Sequence, residues 1–406
     1  TSPIVAQTSA SGSDEGAPDW RRNLGAVTVA TFIGFTGFTL VMPFLPLYFE
    51  QLGVSEVGEI AVWSGVSLGI TPAVTAIMAP VWARVGERYG HKLMVARSLF
   101  SFVVIMAAMA FVTAPWQVFA LRAVQGLFAG YGMLALTMAA QSAPAAQMAS
   151  AIGWVQTAQR LGPALGPVVG GSLAQAFGLR MAFIGAAVLF FGAFVLVLVG
   201  YREARGVRPD ASVAATPRVT LRSLMVVPHF GLFLVMVFSL QMVDRSFGPV
   251  LPLYLREIGT PLSSVPVVAG LVFTVAAGAA AIGNYLCAVL LRHTGPAHLV
   301  MGASALAAVG AVVFSVGPGF SALVGAAVIF GLGIGVAFTT IYTVAGQRVP
   351  ERSRGVAFGY LTTASLSGLA LSPVVSGLLG AVSMRSVFVV DAMGLAAVAW
   401  AVRRMR

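Results

Sequence analysis

Charge is what this chain has least of. Only 9% of its 406 residues are Asp, Glu, Lys or Arg, against 58% hydrophobic residues and a mean hydropathy of +0.92. Soluble domains carry about 25% charged residues, so a water-soluble fold is excluded. Cysteine occurs once, at Cys287, which rules out an internal disulfide and a thiolate metal cluster and leaves core packing as its role. The four histidines, His91, His229, His293 and His298, lie in or beside polar breaks. Neither they nor the cysteine form a catalytic constellation, and no glycine-rich phosphate loop marks an ATP-driven machine. The expectation is a protein without metal or bound cofactor, and not an enzyme. A formal charge of +11 would suit nucleic acid, yet the basic residues sit in short loops and form no separate domain, so no nucleic-acid partner is expected.

What the chain has in abundance is apolar sequence in long runs. Those at 24–48, 60–82, 93–113, 117–140, 150–176, 181–201, 230–254, 266–290, 298–316, 320–345, 355–382 and 386–402 read as helices crossing a lipid bilayer. The predicted class is an all-α membrane protein with 12 transmembrane helices. Residues 1–19 lack the basic start and apolar centre of a cleaved signal peptide and read as a disordered tail. Residues 20–201 form a first six-helix bundle, 202–225 a polar linker and 226–406 a second bundle.

Basic residues set the orientation. One side would hold Arg21, Arg22, Arg84, Arg88, Lys92, Arg202, Arg205, Arg208, Arg218, Arg222, Arg292, Arg348, Arg352, Arg354, Arg403, Arg404 and Arg406. The other holds Arg180, Arg256 and Arg385. Seventeen against three places both ends in the cytoplasm of a bacterial inner membrane.

The two bundles are copies. P-F-L-P-L-Y-F-E-Q-L-G at 43–53 matches P-V-L-P-L-Y-L-R-E-I-G at 249–259, an offset of 206. The same offset carries Pro144 to Pro350, Gly153 to Gly359, Gly162 to Gly368, Pro167 to Pro373 and Gly171 to Gly377. An even number of spans per copy makes the repeats parallel, so the axis relating them runs along the membrane normal. Such a chain is built like a transporter whose substrate site lies near the midplane, between two halves.

The densest motif is G-WVQTAQRL-G-PAL-GP-VV-GG, from Gly153 to Gly171. Gly162, Gly166 and Gly170 are spaced by four and share one helix face, while Arg160 and Pro167 interrupt an otherwise small or apolar surface. This spacing resembles the antiporter signature on the fifth span of the major facilitator superfamily, in its 12-span drug/proton antiporter branch. Ala83-Arg-Val-Gly-Glu-Arg-Tyr-Gly-His-Lys92 is similar to that family's loop between spans two and three, matching at Arg88, Gly90 and Lys92, with Glu87 in place of the usual Asp. The resemblance implies that the loop acid docks on a helix end of the other half and locks one state; a plain basic membrane anchor is the alternative. Leu121-Arg-Ala-Val-Gln-Gly126 resembles the R-x-x-Q-G segment of span four, which implies a part for Arg122 in proton transfer. Pro43 and Pro46 resemble the proline pair of the exporters' first span. Span eight carries Ala276-Ala-Gly-Ala-Ala-Ala-Ile-Gly283, and the glycine stripe is expected to pack against it across the two halves.

Ionisable residues at bilayer depth are Arg97, Arg122, Arg160, Asp244, Arg245 and Asp391. Each is costly there and is a candidate for function. Arg97 is expected to snorkel. For proton coupling, Asp244 is chosen first, beside the part that the resemblance implies for Arg122. Asp244 either exchanges a proton or stays ionised to neutralise Arg122 or Arg245. Arg245 is the less natural partner, because adjacent helical residues point about 100° apart. Asp391 is the reserve candidate, with helix packing as its competing role. Phe35, Phe38, Met42, Gln125, Tyr131, Met133, Gln156, Gln159, Gln241, Met242 and Asn284 are the candidates for a cavity wall, weighed against ordinary packing. The combined expectation is a monomeric, proton-gradient-driven exporter of small lipophilic drugs. The alternative is a dedicated exporter or importer of one metabolite, sugar or lipid on the same fold.

Overall fold

The computed structural model describes residues 20–144, 147–202, 221–316, 319–350 and 354–403. The tail at 1–19 and most of the linker at 202–225 lie outside the described residues. The described chain is helical throughout: α1 (Trp20–Leu40), α2 (Leu45–Gln51), α3 (Val57–Tyr89), α4 (His91–Met109), α5 (Pro115–Phe128), α6 (Tyr131–Ser142), α7 (Met148–Phe177) and α8 (Leu179–Gly200) build the first half. The short α9 (Leu221–Leu224) leads into α10 (Phe230–Arg245), α11 (Leu251–Glu257), α12 (Val265–His293), α13 (Pro296–Val316), α14 (Phe320–Arg348), α15 (Arg354–Val382) and α16 (Met384–Arg403).

Among the described residues, ten stretches are long and apolar enough to cross a membrane. The other two crossings are α7, whose 30 residues are diluted by Gly, Pro, Gln and Arg160, and the broken pair α10–α11. Three spans are interrupted. Span one tightens to a 3-10 turn at Met42–Phe44, where prolines remove backbone donors, and span seven breaks between Arg245 and Leu251 around Gly248-Pro249. Span four, expected to be continuous, stops at Phe128 and restarts at Tyr131 because Gly130 takes a φ of +119°. The segment read as a loop at 83–92 is instead largely helical: α3 runs on to Tyr89, and the turn is confined to Gly90 at φ +94°.

The repeat is physical. A Cβ built on Gly162 would lie 2.7 Å from the Phe32 carbonyl oxygen and against Phe35 and Thr36; one on Gly368 would lie 2.6 Å from that of Phe238 and against Gln241 and Met242. Every partner is shifted by 206. Likewise Tyr48 donates to the Met109 carbonyl at 2.5 Å, and Tyr254 to that of Phe314 at 2.6 Å.

These contacts correct the expected partner of the glycine stripe. Gly162, Gly166 and Gly170 face α1 of their own half: a Cβ on Gly166 would meet the Thr36 carbonyl at 2.7 Å, and one on Gly170 the Leu40 carbonyl carbon at 2.8 Å. The small residues of span eight face α14, where Gly283 meets the Leu332 carbonyl at 2.5 Å. The halves meet one step around the helix, where Gly171 opposes the Pro266 carbonyl at 2.6 Å and Gly270 the backbone of Pro167 and Val168. The second seam joins α3 to α15, with the Cβ position of Gly65 3.2 Å from Gly377 Cα, and that of Gly377 2.5 Å from the Ala61 carbonyl.

The two roles predict different mutant behaviour. Gly166→Leu forces apart α1 and α7 within one bundle, and overpacking of this kind costs about 1–3 kcal/mol, so thermal unfolding in detergent should start several degrees lower. Gly171→Leu leaves each bundle intact and should lower the unfolding temperature less while widening the seam, measured as a longer spin-label distance between α7 and α12. Equal thermal losses in both variants would contradict this division.

Candidate functional site

Let the lower end be the one where Trp20 begins α1 and Arg403 closes α16. The inter-half contacts just described all lie in the upper part of the molecule. Eighteen residues make five helical turns, so Gly153 lies on the same face of α7 as Gly171, about 27 Å lower. A Cβ on Gly153 would meet nothing within 4 Å, and the same holds for Gly359, which stands below Gly377 on α15. Both seams therefore separate on the way down. This geometry implies a chamber between them, closed at the top by the seams and open at the lower end.

The top carries an ion pair that the sequence reading missed. Glu50 accepts from Nη1 of Arg256, and both side chains are about one-third exposed. The two residues occupy equivalent positions of the repeat, 206 apart. Equivalent residues that touch must straddle the axis relating the halves. Opposite charges at matched repeat positions were the signal available in the sequence.

Lower down, one hydrogen bond bridges the chamber. With the Asn284 amide oriented so that Nδ2 donates to Thr339 Oγ1 and to the Gly335 carbonyl, both at 2.8 Å, its Oδ1 accepts from Arg160 Nη1 at 2.6 Å. Arg160 belongs to α7 and Asn284 to α12, so a residue of the Gly153–Gly171 motif and a cavity candidate meet across the halves.

The walls are equivalent in the repeat but differ in chemistry. In the first half, Gln159 Nε2 donates to the Gly132 carbonyl at 2.8 Å, and the Phe35 ring covers Gly132 and lies 5.3 Å from Tyr131. In the second half, Phe338 replaces Gly132, Gln241 replaces Phe35 and Ser365 replaces Gln159. Ser365 Oγ donates to Gln241 Oε1 at 3.0 Å, and Phe338, Tyr342 and Phe358 stack at 5.8 and 6.1 Å. The sequence reading missed this aromatic run, although Phe338 and Tyr342 stand one turn apart on span ten. Gln156 and Met133 are exposed, Met42 and Met242 are half-buried, and Phe38 stacks on Phe102 within the first bundle.

The charged candidates separate into four environments. Arg122 is fully buried; its Nη1 donates to Gln125 Oε1 at 3.2 Å, while its Nε and Nη2 and the Gln125 Nε2 find no protein acceptor. Thr71 on α3 donates to the Arg122 carbonyl at 2.8 Å, and Gly126 admits α3 at close range, which explains the glycine of the R-x-x-Q-G segment. Gln125 thus belongs to this buried cluster. Asp244 lies far along α10, and contrary to expectation its partner is the adjacent Arg245, at 3.0 Å from Nε. The helix ends there, which frees the long arginine to fold back. Asp391 is buried and accepts from Ser246 Oγ at 2.5 Å, tying α16 to α10.

Arg97 does not snorkel. Its guanidinium lies 3.4 Å from the Trp82 ring centroid and donates to the Phe128 carbonyl at 3.3 Å, while Trp82 Nε1 donates to that of Leu127 at 2.6 Å. The two side chains cap the carbonyls released by the break in span four. Of the expected lock segment, the Glu87 side chain lies outside the described residues, Arg88 is exposed beside Tyr89, and Lys92 caps α8 of its own half. Among the described residues, no three His, Cys, Asp or Glu side chains converge as metal ligands.

The axial ion pair predicts a charge-swap result. An exposed pair contributes about 0–1 kcal/mol, so Glu50→Arg should open the top in at most about fivefold more molecules, read by labelling of a cysteine introduced in the chamber. The double exchange Glu50→Arg/Arg256→Glu should restore the native labelling rate. A swap that fails to restore it would show that the pair plays no part in closure.

Residues 27–373 match the sequence model of the Major Facilitator Superfamily. Among curated proteins, the chain is 36% identical over 260 residues to the multidrug resistance protein MdtG of Dickeya zeae, covering 63% of each chain, and so spans less than two thirds of that relative's length. It is 32% identical over 292 residues to MdtG of Salmonella paratyphi A, covering 70% of each. Among solved structures, it resembles a bacterial homologue of the human lysosomal transporter Spinster in an inward-facing, occupied conformation, with a TM-score of 0.77 at 16% identity over 95% of this chain and 97% of the other. The nucleoside transporter NupG matches with a TM-score of 0.76 at 15% identity, over 94% and 99%. With the family model matching most of its length, the chain is a multi-pass membrane protein that belongs to the Major Facilitator Superfamily.

Proposed function

We propose that the protein exports small lipophilic compounds from the bacterial cytoplasm across the inner membrane in exchange for protons. The observation that carries this reading is the chamber itself: closed above by glycine seams, open below, and walled by aromatic rings and amides with a single bridging arginine. Aromatic surfaces accept varied apolar shapes, and amides orient a ligand without requiring a charge. Recognition of phosphorylated compounds would call for several arginines, and among the described residues only Arg160 bridges these walls. The excess of basic residues at the lower end supports a cytoplasmic opening, with both termini on that side. The MdtG relatives, named as multidrug resistance proteins, support the same substrate class.

In this reading Asp244 is the coupling acid. As a carboxylate it forms a neutral pair with Arg245; when it accepts a proton, an uncompensated arginine charge is left near the chamber's upper end, which opposes retention of a cationic guest. Release of the guest and uptake of the proton would thus favour each other on the outward side, and the reverse exchange would reset the carrier inside. Arg122, with unsatisfied donors buried in the first half, would offer the carboxylate a second partner when the halves rock. Asp391, held by Ser246 away from the chamber, would serve helix packing.

The test is substrate-driven proton movement in proteoliposomes with a panel of lipophilic cations, neutral drugs and polar metabolites. Asp244→Asn should retain binding but lose at least about tenfold of the coupled proton flux, the scale expected when an obligatory proton-transfer group is removed. Asp391→Asn should keep coupling while unfolding at a lower temperature. Coupling that survives in Asp244→Asn and vanishes in Asp391→Asn would reverse the assignment. Transport of one polar metabolite alone would favour the dedicated-transporter alternative.

A further inference from the structure

The two bundles share one fold, yet their cores are filled differently at the lower end. In the first bundle, Val27, Ala30, Val95, Ala135, Met138 and Val197 surround a gap of about 10 Å³, room for about one water. Shifting each number by 205 or 206 gives Phe233, Met236, Val300, Ile341, Val344 and Val402. These residues surround a cavity of about 290 Å³. The second cavity is the larger even though its α10 side chains are bulkier than their α1 counterparts.

The reason lies in the side chains that close the first bundle. Tyr131 enters its gap from above, where the second bundle has Ala337, and Leu99 is replaced by Ser304. Ser304 is fully buried, its hydroxyl has no partner, and it lies one turn deeper than Val300 on the same face of α13. At the mouth of the first bundle, Lys92 Nζ donates to the carbonyls of Leu198 at 2.8 Å and Tyr201 at 2.6 Å. There Asn23 also pairs with the backbone of Arg202, at 2.8 and 2.9 Å. Their counterparts in the second bundle are Ala297 and His229, which reproduce neither closure. Ser142, which meets the Tyr201 hydroxyl, becomes Arg348.

Arg348 and Gln347 form the polar rim of the larger cavity, and both are exposed. The Arg348 guanidinium lies 5.8 Å from the ring centroid of Phe233, another residue of the lining. Arg403 ends α16 directly after Val402. Trp400, more than half exposed on the same helix, marks the level of the membrane interface, and the outer faces of α13 and α16 present Val309, Val312, Val389 and Met393 as lipid-facing surface. The cavity therefore lies at the depth where acyl chains meet head groups, with apolar walls inside and a cation at the edge.

We infer that this cavity holds an acyl chain of an anionic phospholipid from the lower leaflet, with the lipid phosphate on Arg348. The amphipathic lining fits this ligand: the walls match a hydrocarbon tail, and a guanidinium at the rim pairs with phosphate by charge-assisted hydrogen bonds. The site is separate from the chamber, being enclosed by α10, α13, α14 and α16 of one half. It belongs to the second bundle alone, because the first fills the equivalent space with its own tyrosine, lysine and asparagine. A bound lipid would also occupy a void whose lining otherwise lacks contact partners on one side.

The experiment is native mass spectrometry of the full-length protein, titrated in mild detergent with phosphatidylglycerol or phosphatidylcholine of matched chains. One phosphatidylglycerol should be retained in preference to phosphatidylcholine. Arg348→Gln should weaken its retention by about fivefold, as removal of one basic residue near a lipid surface does. Arg292→Gln, at the lower end of α12, should leave it unchanged. Val344→Trp, which fills the cavity, should abolish the preferred site. If that variant does not fold, the Arg348→Gln and Arg292→Gln pair decides. Equal retention of both lipids, or equal loss in both arginine variants, would overturn the inference. Displacement of the lipid by a transported drug at substoichiometric concentration would do the same, identifying the cavity as a second substrate site.

Discussion

Close approach of backbone to backbone is the constraint on which this molecule depends. In a bilayer, lipid tails are as apolar as leucine, so helices gain little from merely hiding apolar side chains from one another. What holds them is dispersion contact, and contact is closest where no side chain intervenes. Gly162, Gly166 and Gly170 bring α7 onto α1, Gly331 and Gly335 bring α14 onto α12, and Gly171, Gly270, Gly65 and Gly377 bring one half onto the other. The first two sets lie inside a bundle and would stay shut through a transport cycle. The last set joins the halves and, in the proposed export cycle, is the seam that would part. One physical device thus serves both permanent assembly and gating, with the difference set by which face of the helix carries the glycine.

Polar groups are distributed around those seams in a manner the bilayer makes expensive. A fully buried arginine with two unsatisfied nitrogen donors is a strained arrangement in a static protein, since an unpaired buried charge costs several kcal/mol. Arg122 is in that position in this closed-top state, beside helices whose partners change when the halves rock. Asp391 is the opposite case: its carboxylate has a hydroxyl donor and links two helices of one bundle. Asp244 and Arg245 lie between these extremes, partly exposed and paired with each other.

Duplication made the two bundles alike, and their differences are where the specific chemistry lies. Gly132 against Phe338 and Gln159 against Ser365 give the chamber two unlike walls on matching backbones. Tyr131 against Ala337 and Lys92 against Ala297 leave one bundle core filled and the other hollow. Glu50 against Arg256 converts a symmetric position into an attraction across the axis. In each case the shared fold supplies the geometry, and the substitution supplies the function.

Length, hydropathy and the offset of 206 determined the class and the span count, because these features depend on a bilayer's fixed thickness and on helical periodicity, while the family was legible as a motif resemblance. The candidates Arg160, Asn284, Gln159 and Gln241 were legible as polar residues in apolar runs, for the same reason. What periodicity could not supply was which neighbour each face would meet. A stripe of small residues fits any helix that comes near, so only the packed structure assigned it to α1 rather than α12. The Arg97 cap on α5 and the hollow in the second bundle were decided the same way. Each depends on groups far apart in sequence arriving within a few ångströms, and that distance is set by tertiary packing alone.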